Sequence, residues 1–321
     1  MKKKVVKWIM VGIPLLLVVI VAFIVGSSYF EHRELIEQEK EEYPAPGTLV
    51  DTNDDGKELH VYAEGEGTLT LVFMSGLGTS SPVYDFKVLY DKLSNDYRIA
   101  VVERAGYGWS DISSRSRDID TVLKETRAAL ELSGEEPPYV LFPHSMAGIE
   151  AIYWANRYPK EIEAIVGLDP LVPDYHKQTE EDPSFSSVID FLMSAGLVRH
   201  EPEVFEDNFP AIKKGHLTEE EAEIARTIFY RRVQTENMKE EADALSDNAQ
   251  IVSEQGKPDV PFHVFIAVEN EDEYWRESLT SYAEETGGES YILEAEHYIH
   301  LDMPELISEK SRELIEKAIE N

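Results

Sequence analysis

The chain runs to 321 residues, with 63 acidic against 30 basic side chains, a formal charge of −33, and no cysteine. So negative a field repels phosphate backbones and anionic lipid, which argues against nucleic acid as a partner. Without cysteine there is no disulfide, no thiolate nucleophile and no zinc–sulfur site. The acidic runs at 179–182 and 219–221 read as solvated helix starts without metal-ligand spacing, and neither a metal nor a cofactor is implied.

Lysines at positions 2, 3, 4 and 7 precede a run, 8–25, that carries no charge. With Val5 and Val6 the apolar stretch reaches about 20 residues, enough to cross a hydrocarbon core. A cleaved leader has a shorter apolar region and a small-residue exit, for which Val25-Gly26-Ser27 is a poor match, so an uncleaved anchor is expected. Basic residues before the span and Glu31, Glu34 and Glu37 after it orient the N-terminus to the cytoplasm. The expected layout is a cytoplasmic tail and transmembrane anchor at 1–27, a stalk at 28–46 ended by Pro44-Ala45-Pro46-Gly47, and a domain at 47–321 outside a cell membrane.

From Gly47 onward, apolar extended runs alternate with helical patterns. Residues 49–51 and 59–63 read as a hairpin broken by Asn53-Asp54-Asp55-Gly56. Strands follow at 69–74 and 99–102, with a helix at 82–93 between them. A second helix at 121–132 stops at Gly134. A strand from Tyr139 leads into a helix ending near 158, and further strands are expected at 162–168, 261–268 and 291–293. A helix at 305–319 closes the chain. This alternation predicts an α/β protein, a mostly parallel central sheet flanked by helices. The stretch 183–256 breaks the rhythm with helices expected at 185–195, 202–212, 219–233 and 237–253. Thr218 with Glu221 forms a capping box there. It reads as a helical cap insertion over the carboxyl end of the sheet.

The chemistry centres on Tyr139-Val140-Leu141-Phe142-Pro143-His144-Ser145-Met146-Ala147-Gly148. An apolar strand stops at a serine among small residues and a helix follows, the signature of a turn that presents a nucleophilic hydroxyl. Pro143 and Ala147 stand where that signature usually has glycine. Acyl transfer by a serine needs a base, an orienting acid and amide donors for the oxyanion. The base is expected to be His297, between the last strand and the last helix, with His300 one turn further on as the competitor. Oxyanion donors are expected at the Leu77 amide, in Ser75-Gly76-Leu77-Gly78, and at the Met146 amide. The acid is open between Asp169, after the strand that follows Ser145, and Glu269, Glu271 or Asp272, after the next.

Together these segments resemble the α/β-hydrolase fold superfamily over 47–321. Glu103-Arg104-Ala105-Gly106-Tyr107-Gly108-Trp109-Ser110 is similar to the family's D-x-x-G-x-G-x-S loop, with glutamate leading. His297-Tyr298-Ile299-His300 followed by Pro304-Glu305 resembles the closing G-H-x-x-H…P-E, with Glu296 in place of glycine. The resemblance implies a Ser-His-Asp hydrolase. Many members place the acid after the strand beyond the cap, but some lipases carry it in a Gly-Leu-Asp-Pro turn like 167–170, which favours Asp169.

The expected protein is a membrane-anchored serine hydrolase of esterase or lipase type. It would cleave an ester or related acyl bond of a small-molecule substrate through an acyl-enzyme. An aminopeptidase or a carbon–carbon bond hydrolase would use the same parts, since the cap sets the substrate. A catalytically inactive, membrane-anchored binding protein is the rival of a different class. An epoxide or halide hydrolase needs an acid where Ser145 stands. Apolar cap residues such as Phe191, Met193, Phe205, Phe209 and Phe229 line an acyl pocket or simply pack the cap.

Overall fold

The structure, a computed structural model, describes residues 2–179, 183–268 and 272–320, with side chains from position 11 onward. Its strands are β1 (Thr48–Asp51), β2 (Glu58–Glu64), β3 (Thr70–Met74), β4 (Arg98–Glu103), β5 (Tyr139–Pro143), β6 (Ile162–Leu168), β7 (Phe262–Ala267) and β8 (Ser290–Leu293). They form a single sheet in the order β1-β2-β4-β3-β5-β6-β7-β8. The β1–β2 and β2–β4 pairs are antiparallel and every later pair is parallel.

The helices are α1 (Lys2–Glu42), α2 (Pro82–Leu93), α3 (Ile119–Leu132), α4 (Ala147–Arg157), α5 (Pro173–Thr179), α6 (Ser187–Ser194), α7 (Pro202–Asn208), α8 (Pro210–Lys213), α9 (Glu219–Arg232), α10 (Glu236–Asp243), α11 (Leu245–Gln255), α12 (Glu273–Glu285), α13 (Ile299–Asp302) and α14 (Pro304–Glu320). Successive strand residues point to opposite faces, so both faces of a parallel sheet must be covered. Val72, Leu141, Ile165 and Val264 face Leu123 of α3 and Ile152 and Trp154 of α4. Leu71, Phe73, Val140, Val166 and Phe265 face Phe86 and Leu89 of α2 and Ile307 and Leu314 of α14. Fully burying one such side chain is worth about 1.5–3 kcal/mol.

Between β6 and β7 the described residues contain no strand, only α5 to α11 and a short 3-10 turn, Leu197–His200. Two helices expected as single units are split. Residues 202–212 break at Phe209-Pro210, because proline lacks the N–H needed to continue a helix. The helix expected at 237–253 runs as α10 and α11 about Ala244. The capping box is present, with Thr218 and Glu221 bonded reciprocally.

Helix α1 is continuous for 41 residues and carries Pro14 within it. Its portion Val11–Glu42 is long and apolar enough to cross a membrane, and the apolar side chains from Val11 to Ile24 are exposed. The segment expected as a stalk is helical up to Glu42, and Ser28 and His32 are buried.

Candidate active site

The order of the sheet reverses at β3, which pairs β4 on one side and β5 on the other. Such a switch point leaves a crevice at the carboxyl ends of the strands. The Ser75-Gly76 turn leaves β3 there, and Ser145 leaves β5 beside it.

Ser145 has a φ of +53°. Positive φ costs a non-glycine residue about 1–3 kcal/mol and persists only where the surroundings over-determine it. The cause is local, because β5 ends at Pro143 and α4 starts at Ala147, leaving His144, Ser145 and Met146 to turn the chain. The turn is pinned by His144 N donating to Met74 O at 2.9 Å and Leu171 N donating to Ser145 O at 2.7 Å. Pro143 ends the strand opposite Met74, and the turn forms beyond it.

Asp169 also has positive φ, +48°, and is fully buried. Its Oδ1 accepts from Trp275 Nε1 at 2.8 Å and Ala267 N at 3.2 Å, and its Oδ2 lies 2.7 Å from His297 Nδ1. A buried carboxylate is costly unless donors replace water, and three do so here. Since an ionised carboxylate only accepts, His297 carries its proton on Nδ1, which leaves Nε2 as the basic nitrogen. The His297 side chain is 39% exposed, as a base that must meet substrate requires.

His144 links the two halves. Its ring centroid is 4.7 Å from that of His297, and its Nε2 lies 3.1 Å from the His297 carbonyl. A carbonyl accepts, so Nε2 holds the His144 proton. Its buried Nδ1 has no hydrogen-bond partner among the described residues. Burial, then the neighbouring His297 and His300, push the His144 pKa well below the usual imidazole range, so this ring stays neutral. His300 is buried with Nε2 3.1 Å from Asp85 Oδ2, a packing role on α2. No hydrogen bond joins Ser145 Oγ to His297; His297 packs against the ring of His144, the residue before Ser145.

The turn after β3 lies against the serine. A Cβ built on Gly76 would fall 2.9 Å from Ser145 Cβ and 3.0 Å from His144 Nδ1, so only glycine lets the chains approach this closely. Among the described residues, the backbone N–H groups of Leu77 and Met146 make no hydrogen bond. Two unengaged amides flanking a hydroxyl are what a developing oxyanion would use.

A polar clamp lies behind this turn. Arg104 donates to Glu241 of α10 through Nε and Nη2, both at 3.1 Å, and through Nη1 to Ser75 O at 2.8 Å. Tyr107 donates to the same Glu241 at 2.6 Å. Glu103 stands 2.9 Å from His60 Nδ1 and accepts from Trp109 N at 2.7 Å, which organises the glycine loop 104–110.

Of the other candidate acids, Asp272 caps α12, accepting from Tyr274 N at 2.9 Å and Trp275 N at 3.2 Å, and accepts from Tyr175 at 2.6 Å. Glu269 and Glu271 lie outside the described residues. Sequence reasoning did not find Trp275, the Arg104–Glu241 pair or the bridging role of His144. Only His144 carried a signal, its place next to the serine. A cleft of about 500 Å³ between α5 and α11, lined by Pro173, His176, Ser246 and Ala249 among others, stands apart from Ser145 and His297. Among the described residues no cluster of side chains fits a metal ion.

The family profile of the alpha/beta hydrolase fold matches residues 70–247. The chain belongs to the α/β-hydrolase fold family. The protein YbdG of Bacillus subtilis (strain 168) is 35% identical over 312 residues, which cover 94% of this chain and 95% of YbdG. Among solved structures, an epoxide hydrolase of Vigna radiata superposes with a TM-score of 0.65 at 18% identity, covering 84% of this chain and 97% of its own. A loop variant of a haloalkane dehalogenase from Bradyrhizobium elkanii gives 0.57 at 14% identity, covering 84% and 97%. Likeness at this identity establishes the fold, and α/β-hydrolase membership supports hydrolase activity; the chemistry rests on this chain's own residues.

Proposed function

We propose that this α/β hydrolase is a serine hydrolase that cleaves an ester or related acyl bond of a small molecule. The observation that carries this reading is the 2.7 Å contact between His297 Nδ1 and a fully buried Asp169 at the rim where Ser145 leaves β5 at positive φ. In the proposed cycle His297 Nε2 takes the Ser145 proton as Oγ attacks the acyl carbon. The Leu77 and Met146 amides receive the oxyanion, and Asp169 holds the tautomer and stabilises the imidazolium. The protonated His297 then gives its proton to the leaving group. A water then gives a proton to His297 as its oxygen attacks the acyl carbon, and His297 passes that proton to Ser145 Oγ as the acyl–oxygen bond breaks. No cofactor takes part in this cycle.

Serine at position 145 sets this chemistry apart from that of an epoxide or halide hydrolase, which needs an acid there. We further assign α1 as a single-pass anchor with its N-terminus in the cytoplasm and the domain outside, and the helices within 183–256 as the cap that sets the substrate. Nucleic acid has no place in this scheme. The departures at Pro143, Glu103 and Glu296 and the missing Ser145–His297 hydrogen bond favour an inactive, surface-binding relative, although such bonds tighten in many enzymes only when substrate is bound. Turnover of p-nitrophenyl esters across a range of acyl lengths, run beside amino-acid amides, tests the reading. Ester hydrolysis lost in Ser145→Ala and His297→Ala supports it. Inert wild-type protein favours the binder, and faster turnover of the amides favours a peptidase.

A further inference from the structure

Helix α1 remains packed on the domain after its apolar run ends. His200 Nε2 lies 3.5 Å from Ser28 Oγ. Arg199 donates to His32 Nδ1 at 2.7 Å and clasps Glu39 with two bonds of 2.6 and 2.8 Å. Gly196, at φ +72°, is pressed onto the helix, since a Cβ there would fall 2.4 Å from His32 Cβ and 3.0 Å from Ser28 O. These contacts fix a height. The turn after α6 lies level with residues 28–32, immediately beyond the charge-free run 8–25. Tyr29 and Phe30 are 41% and 73% exposed at this level, where aromatic side chains mark a membrane boundary.

Helix α6 runs directly into that turn. Its inner side is satisfied, with Met193 buried in a cluster that includes Tyr84, Phe205, Phe229 and Leu301 and that reaches Tyr298, the neighbour of His297. Its outer side is apolar as well, with Val188 67% and Phe191 56% exposed three positions apart on one face, and Ile189, on the flank toward Met193, 44% exposed. Two large apolar side chains left side by side in solvent mark an interaction surface. Phe191 precedes Gly196 by five positions, about 8 Å of helical rise at most.

We propose that the outer face of α6 lies in the interfacial layer of the same bilayer that α1 crosses, so that the domain rests on the membrane through its cap. This rests on the reading of α1 as an anchor. The occupant is the apolar part of the lipid. A chain of charge −33 is repelled by anionic headgroups, whereas the anchor holds the α6 face beside the surface at high effective concentration. An amphipathic helix held there buries its apolar side below the headgroups.

Because the protein has no cysteine, single-cysteine variants take one label each. Full-length Phe191→Cys, Val188→Cys, Val21→Cys and Glu284→Cys, the last on α12 beside β7 and β8, would carry an environment-sensitive fluorophore. Each would be reconstituted in phosphatidylcholine vesicles with and without nitroxide-bearing lipid. The labels at 21, 188 and 191 are expected to lose about half their emission or more to the lipid quencher, with 284 unchanged. Quenching at 21 but at neither 188 nor 191 overturns the proposal and leaves the anchor standing. No quenching at 21 overturns the anchor and the proposal with it. Emission at 188 and 191 that is blue-shifted but unquenched assigns the face to a second copy of the protein, which also overturns it.

Discussion

Substituting Asp169 by asparagine separates the proposed acid from its neighbours. Asp169 Oδ1 would keep its donors, Trp275 Nε1 and Ala267 N, so the fold should survive at a cost of about 1–3 kcal/mol. The Oδ2 position, 2.7 Å from His297 Nδ1, would become an NH2 group that donates. Nδ1 must then accept, the ring proton moves to Nε2, and no base remains to face Ser145. Where the same substitution inverts the tautomer in a serine protease the loss in kcat is about 10⁴-fold, equivalent to about 5.5 kcal/mol. The expected result is a loss of that order in kcat with p-nitrophenyl acetate at neutral pH. Asp272→Ala is the control, expected to cost about 1 kcal/mol of stability through the α12 cap and to leave turnover near wild type. Asp169→Asn retaining more than about a tenth of wild-type activity refutes this reasoning. So does an Asp272→Ala variant that loses as much as Asp169→Asn.

Three further outcomes concern the scaffold. His144 is buried neutral with its pKa held down by burial, whereas an unfolded histidine takes its proton near the ordinary value of 6.5. Stability should therefore be complete above about pH 6.5 and fall as the pH drops below it, by at most about 1.4 kcal/mol per pH unit for this group. His144→Gln should flatten that slope in urea titrations of the full chain in detergent, leaving the contributions of His32 and His263, whose pKa values burial also lowers; an unchanged slope contradicts the assignment. Arg104→Met removes the charge partner of the buried Glu241, leaving it only the Tyr107 hydroxyl, and should cost about 3–5 kcal/mol, while Arg104→Met with Glu241→Leu should recover most of it. Additive losses in denaturation would show that the two do not act as a pair. Glu103→Asp shortens the arm that holds Trp109 N and His60, and a loss of about 1–3 kcal/mol in chemical denaturation is expected.

The strand sequence and the place of each candidate residue at a strand end were legible because buried parallel strands read as short apolar runs between turn residues. That pattern put Ser145, Asp169 and His297 after β5, β6 and β8 without stating which acid His297 would meet. The choice depends on the path of α12, whose Trp275 reaches back to Asp169 while Asp272 caps the helix. Nothing local encodes that reach. The helices between β6 and β7 were legible as helices, but their breaks depended on Pro210 and on packing about Ala244. The run 28–46 read as a spacer because its glutamates look solvated, yet Glu39 is clasped by Arg199, 160 residues away. Partners so distant in sequence leave no periodic trace. Likewise, Pro143 stands where the motif usually has glycine, and the chain accommodates it by ending β5 on it and turning at the next residues.

The proposed catalysis depends on a nucleophilic hydroxyl at 145 being raised to reactivity by the imidazole at 297. The most direct measurement is labelling of the full-length protein by a fluorophosphonate, with the adduct located by peptide mass spectrometry. A single adduct on Ser145, abolished in Ser145→Ala and slowed by several orders of magnitude in His297→Ala, is predicted. Unreactive wild-type protein, or an adduct on any other residue, contradicts the account.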